Sequence, residues 1–203
     1  MVDIEANKKR YLGLLREVLD DNQYLAIKEF LENSDFFTAP ASTKFHLHCK
    51  GGLCQHSLNV YDLLEEKLDT WNLKYSDFTV RVVSLMHDWC KIDTYIPSTR
   101  RVPPERSGTG QWEVEEIWVK DDAYNLGHAS KSIYLIQQFL VLTMEEIEAI
   151  HAHMGLGDLS TLFKSFDLGK LFTDNPLATC LHLADMESSY LLEDDLDNKE
   201  KYK

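Results

Sequence analysis

The chain has 203 residues, of which 44% are hydrophobic and 27% charged, a globular composition long enough to bury a core without disulfide staples. It has no apolar run near the ~20 residues a membrane-spanning helix needs, and its opening MVDIEANKKR lacks a signal-peptide core, so a cytoplasmic protein off the membrane is expected. A formal charge of -13 repels a phosphate backbone at long range, which argues against duplex nucleic acid as a partner.

In chain order, residues 4–20 and 24–32 carry apolar side chains at helical spacing and predict two amphipathic helices. Residues 34–43, with Pro40 and many small polar groups, predict a connection. Gly51-Gly52 opens a long helix to about Leu68, with His56 on its apolar stripe, and residues 77–91 predict another containing His87-Asp88. Prolines 97, 103 and 104, the SGTG run and Trp112, Val114, Ile117, Trp118 and Val119 predict a small irregular β-hairpin over 94–120 with a mobile turn. Helix resumes from His128 to about Leu142. Thr143 and Glu146 then form a capping box for a helix that stops at Gly155, and a loop with Gly157 and Asp158 follows. Asn175-Pro176 starts the last helix, which carries Asp185. The fold expected is mainly α with a small β insertion, one domain over 1–203, with 1–35 packed on it and an acidic, frayed tail at 193–203. Cysteines 49, 54, 90 and 180 form no CxxC pair and read as reduced thiols.

Chemistry concentrates in titratable groups on apolar faces or at helix ends: His56, His87, Asp88, His128, His153 and Asp185. Buried without partners, such groups cost several kcal/mol, and imidazole and carboxylate are common ligands of divalent metals. Taken singly, each has a plainer reading, as a hydrogen-bonded core histidine, a helix cap or a partner of Arg or Lys. Periodicity alone therefore leaves a metal centre and a set of core polar residues about evenly matched.

The ordered set GGLCQHS, HDWCK, GHASKS, IHAHMG and LHLAD resembles the HD-domain metal-dependent phosphohydrolases over about Phe36 to Leu191. The closest likeness is to small bacterial and phage-type members, with a more distant one to the HD part of 3′–5′ exoribonucleases. The resemblance implies a helical bundle around a divalent metal, one or two ions of Mn, Fe, Zn, Ni, Co or Mg. It carries the ligand role onto His56, His87, Asp88, His128, His153 and Asp185. Asp88 is the candidate bridging carboxylate. His151 and His153 compete for one ligand position, and His153 is favoured because it precedes the helix-ending Met-Gly. Asp88, Lys91 and His46 are the expected catalytic groups, with Lys91 holding a phosphate oxygen or the leaving group and His46 acting as donor or general acid. Lys91, Lys44, Tyr95 and Arg100 are the expected substrate contacts, although solvated charge (Lys44, Arg100, Arg101) and hairpin packing (Tyr95) are competing readings. His182 is expected to orient Asp185.

The function expected is hydrolysis of a phosphomonoester or phosphodiester, with a small phosphorylated substrate such as a nucleotide as partner. Missing basic stripes and aromatic ladders argue against processive single-strand degradation. Two alternatives stand beside it, a non-catalytic metal- or nucleotide-binding regulatory module and a di-iron HD-type oxygenase. Oligomeric state is left open, a homo-oligomer included.

Overall fold

The computed structural model describes residues 2–155 and 165–193. Within them the chain is mainly helical with one two-stranded antiparallel sheet, as the sequence predicts. The order is α1 (Ile4–Arg16), α2 (Asp21–Asn33), α3 (Gly52–Thr70), α4 (Asp77–Met86), a 3-10 turn (Trp89–Lys91), β1 (Tyr95–Val102), β2 (Glu113–Lys120), α5 (His128–Ile136), α6 (Met144–Ala152), α7 (Ser165–Asp174), α8 (Pro176–Glu187) and a π-helical turn (Ser188–Leu192). No described helix is long and apolar enough to cross a membrane. All four cysteines are free.

Helix starts are specified locally. Asp3, Asp20, Ser76, Thr143 and Asn175 each accept a hydrogen bond from a first-turn backbone N–H. Thr143 and Glu146 form the reciprocal box expected of them, and Asp20 and Gln23 form a second one. α3 lies at the centre, packed against α1, α4 and α8, while α6 joins α4, α5 and α8. Leu53, Leu58, Leu64, Val82, Leu85, Met86, Leu177 and Leu181 between them are wholly buried. The Tyr11 hydroxyl donates to the Leu85 carbonyl (2.8 Å) and accepts from the Trp89 indole (3.0 Å), which pins the end of α4 to α1.

Three helices depart from expectation. α4 stops at Met86 rather than 91, and the site depends on that break. α5 stops at Ile136 rather than near Leu142: residues 137–139 form a turn, with the Phe139 and Leu140 N–H groups both on the Ile136 carbonyl, after which Leu140 (3% exposed) and Leu142 (7%) are buried and Val141 (92%) is exposed. α7 was not anticipated; Leu168, Leu171 and Phe172 pack it on the core. The expected loop with Gly157 and Asp158, and the tail from 194 on, lie outside the described residues.

The hairpin is regular where an irregular one is predicted, running in register from Tyr95 opposite Lys120 to Val102 opposite Glu113. Its base is tied to the bundle. Asp121 N–H donates to the Thr94 carbonyl (2.8 Å), and the buried Lys131 ammonium on α5 donates to Thr94 Oγ1 (2.7 Å) and Asp122 Oδ1 (2.9 Å). Replacing Lys131 with Met leaves Asp122 the Tyr124 N–H (3.1 Å) and, as its only charged partner among the described residues, the exposed Lys120, 3.6 Å away. The expected cost is about 2 kcal/mol, below the ~3–5 of a wholly buried broken pair. Hydrogen exchange should then quicken in the hairpin amides and not in α3 or α4; an unchanged hairpin would remove Lys131 as its anchor.

Candidate metal centre

The site is assembled by helix ends. Gly51, at φ +80°, starts α3, and His56 follows one turn after Gly52. His87 keeps helical dihedrals (φ −53°, ψ −34°) as the cap of α4. Asp88 leaves the helix (φ −105°, ψ 19°), and its carbonyl accepts from Lys91 N–H (3.0 Å) to begin the 3-10 turn. On an unbroken helix these neighbours would point about 100° apart; the break brings both to one centre. His153 caps α6 in the same manner, and Asp185 comes from the last turn of α8.

His56, His87 and His153 are wholly buried, and Asp88 and Asp185 nearly so. The Nε2 atoms of His56 and His87 lie 3.3 Å apart. His56 Nε2 is 3.2 Å from Asp185 Oδ1 and 3.5 Å from Asp88 Oδ2. Asp88 Oδ2 also stands 3.6 Å from His87 Nε2, and Asp88 Oδ1 3.7 Å from His153 Nε2. Asp88 thus presents one oxygen to each side. Ligands bonded at ~2.0–2.1 Å to a tetrahedral ion stand about 3.3 Å from each other, so these separations have the scale of a coordination polyhedron's edges.

The donor chemistry fits a cation. His87 Nδ1–H donates to the Ser84 carbonyl (2.7 Å) and His153 Nδ1–H to the Ile150 carbonyl (2.5 Å), while His56 Nδ1 faces the Glu193 carboxylate at 3.0 Å. With each Nδ1 committed as donor, each Nε2 turns a lone pair toward carboxylate oxygens, an arrangement that repels unless a positive charge lies between. His153 Nε2 is buried with no hydrogen-bond partner. A proton on His56 would satisfy Asp185 but leave His153 unmet; a divalent ion can meet both. Burial works against charge on His56, yet Glu193 and Asp185 outweigh it and raise its pKa to about 10. The same negative field that favours a proton there favours a metal. Burial pushes the Asp88 carboxyl up, but Lys91 and the imidazoles prevail and hold it well below the ordinary carboxylate range. His/Asp groups of this chain could therefore hold a metal ion, of unspecified identity.

Other expected site residues fall at graded distances. Lys91 is buried, with its ammonium on Asp88 Oδ2 (2.5 Å). His46 hangs from the 42–50 loop with its ring 4.9 Å from that of His56 and a buried Nε2 lacking a hydrogen-bond partner. His128 stands farther out, its Nδ1 3.5 Å from Cys90 Sγ, which in turn lies 3.8 Å from Asp88 Oδ1. Of the two α6 histidines, it is His153 whose Nε2 faces Asp88; His151 is only half-buried and joins none of the ligand groupings among the described residues. Tyr95 is half-buried at the foot of β1, where burial raises its pKa and nearby Lys91 counters. Arg100 is spent on an exposed ion pair with Glu115 (2.7 Å), about 16 Å along the strand from Tyr95. Lys44 is exposed on the loop that carries His46. His182 donates from Nδ1 to the His153 carbonyl (2.6 Å) and stacks on Phe172, so it braces His153 rather than Asp185.

Glu193 was missed. Read as the start of a frayed tail, it is instead buried against His56. One signal was present: Asp185, Ser189 and Glu193 recur every fourth residue, one face of a continuing helix. Comparison of the chain with protein-family models, with curated proteins and with solved structures found no match.

Proposed function

We propose that the chain is a metal-dependent phosphohydrolase of the HD-domain type, cleaving a phosphomonoester or phosphodiester bond, with a small nucleotide as the substrate class. The observation that carries this reading is the convergence of residues from α3, α6, α8 and the end of α4 into two overlapping buried groups, His56 with His87 and Asp185, and His87 with Asp88 and His153. His56, His87, Asp88 and Asp185 would hold a first ion, with His153 on the other Asp88 oxygen available to a second. A divalent ion there supplies Lewis acidity toward water and phosphate oxygens at neutral pH.

The chain's own residues supply the rest. Burial works against the Lys91 ammonium, but Asp88 raises its pKa well above the ordinary lysine value, so Lys91 stays charged and can hold a phosphate oxygen. His46 is drawn down to about 4 by burial and, before a metal binds, by positive charge on His56 and Lys91. It is therefore neutral at pH 7, a hydrogen-bond partner for substrate rather than a carried proton. This local positive charge offsets the acidic exterior, with its formal charge of -13, over the few ångströms that matter to a bound anion.

The test is metal analysis of the purified protein, then phosphate release from a nucleotide panel with Mn, Mg, Co, Ni or Zn restored. Metal uptake with a melting-temperature rise is expected, since an ion at 100 times its dissociation constant adds about 2.7 kcal/mol. Release that disappears with chelator is expected beside it. A protein that takes up metal but turns over no phosphate ester would sink the hydrolase reading and leave a binding module. Oxygen consumption by an iron-loaded form would point to an oxygenase instead.

A further inference from the structure

We infer that Glu193 is a positioning residue for metal binding: its carboxylate fixes His56 with Nδ1 protonated and the Nε2 lone pair turned into the centre. The inference rests on the metal reading above and adds to it a residue that touches no ion.

Both Glu193 oxygens lie 3.0 Å from His56 Nδ1. Asn59 Nδ2 donates to the same carboxylate (2.8 Å), and so does the Ser188 hydroxyl (2.5 Å). The side chain is 1% exposed. A carboxylate ringed by donors is an acceptor only, so the imidazole nitrogen facing it must carry its proton. That leaves Nε2 as the free lone pair and makes it a stronger base.

His56 needs this outside partner for a reason set by its place in the fold. His87 and His153 follow helix C-termini, where carbonyls lack helical partners, and each Nδ1 takes the carbonyl three residues back. His56 sits early in the 19-residue α3, where the preceding carbonyls are spent on helix bonds. The carbonyl three residues back, Leu53 O, already takes the Ser57 hydroxyl (3.0 Å) besides its place in the helix, and His56 Nδ1 faces an acceptor 137 residues away instead. Metal affinity should thus depend on the docking of the π-helical turn that ends at Leu192.

The experiment compares the wild type with Glu193→Ala and Glu193→Gln. Zn(II) affinity is read by competition with a chromogenic chelator, and the imidazole N–H resonances of the Zn-loaded protein by NMR. The expected result is a dissociation constant raised ~10–100-fold in Glu193→Ala, with Glu193→Gln, which keeps an acceptor but not the charge, in between. The downfield His56 N–H signal should vanish in the Ala variant while the metal-free melting temperature shows that the bundle is folded. If Glu193→Ala does not fold, Glu193→Gln decides alone. Affinity within about twofold of wild type in the folded variants overturns the inference while leaving the metal centre standing. A wild type that takes up no Zn(II) overturns the metal reading and this inference with it.

Discussion

Replacing Asp88 with Ala is expected to strip the protein of metal and of phosphate-ester turnover together. Asp88 faces His56, His87 and His153 at once, at 3.5, 3.6 and 3.7 Å. Its removal acts twice. The carboxylate charge disappears, and the buried Lys91 ammonium, which rests on Asp88 Oδ2, is left uncompensated beside the imidazoles. A stranded cation repels an incoming ion, so the loss of affinity should exceed the ~100-fold upper end for removing a supporting partner. Turnover should fall at least ~1000-fold, beyond the range typical of losing one general acid or base. The stranded charge also costs roughly 3–5 kcal/mol of stability, which could pass for a functional effect. The double variant Asp88→Ala/Lys91→Met separates the two: it should recover much of the melting temperature and none of the metal. A folded Asp88→Ala protein that keeps both metal and turnover would reject the assigned centre.

The residues of this buried His/Asp cluster were legible because they violate a pattern. An imidazole on the apolar stripe of α3, or a carboxylate near the end of α8, stands out where Leu or Ile belongs. What was not legible was the backbone that aims them. The sequence predicts a helix running through His87 and Asp88, and on it these two would diverge; only the turn begun at Asp88 lets them converge. Sequence periodicity reports which face is apolar, not where tertiary contacts end a helix. Here the chain just past α4 is tied to α1 through the Trp89 indole, which donates to the Tyr11 hydroxyl. α5 shows the same limit, since its apolar pattern runs on to about Leu142 while the helix gives way to a turn after Ile136. Glu193 was hidden differently. Its partners His56 and Asn59 are more than 130 residues away, and its acidic neighbours made it look solvated. Lys131 was passed over as one letter in GHASKS, though it is 2% exposed and ties α5 to the hairpin foot.

The second large effect is expected at Gly52, a residue that touches no ligand. An ideal Cβ there would lie 2.1 Å from the Leu47 carbonyl oxygen and 3.0 Å from Ala41 N, and both are backbone atoms. They cannot swing aside as a side-chain end could, because they bond each other: Ala41 N–H donates to that same Leu47 carbonyl at 3.1 Å. The loop is stitched to the start of α3 by further backbone bonds, Gly51 N–H to Thr38 O (3.1 Å) and Leu53 N–H to Ala39 O (3.0 Å). Gly52→Ala must therefore break the Ala41–Leu47 bond or displace the helix start, at a cost of about 3 kcal/mol or more. That corresponds to a melting temperature lower by roughly 10 °C for a chain of this size. Gly13 in α1 is the control, since nothing lies within 4 Å of its added Cβ. Gly13→Ala should gain about 0.5–1 kcal/mol from helix propensity, so the two substitutions of identical chemistry should move stability in opposite directions. The loss at Gly52 should reach the site as well, because the displaced loop carries His46 and the displaced helix turn carries His56. Metal affinity measured well below the new melting temperature should fall with it. A Gly52→Ala protein as stable as the wild type would mean that the Leu47 carbonyl can yield, and that the loop over His56 is held less firmly than its backbone bonds indicate.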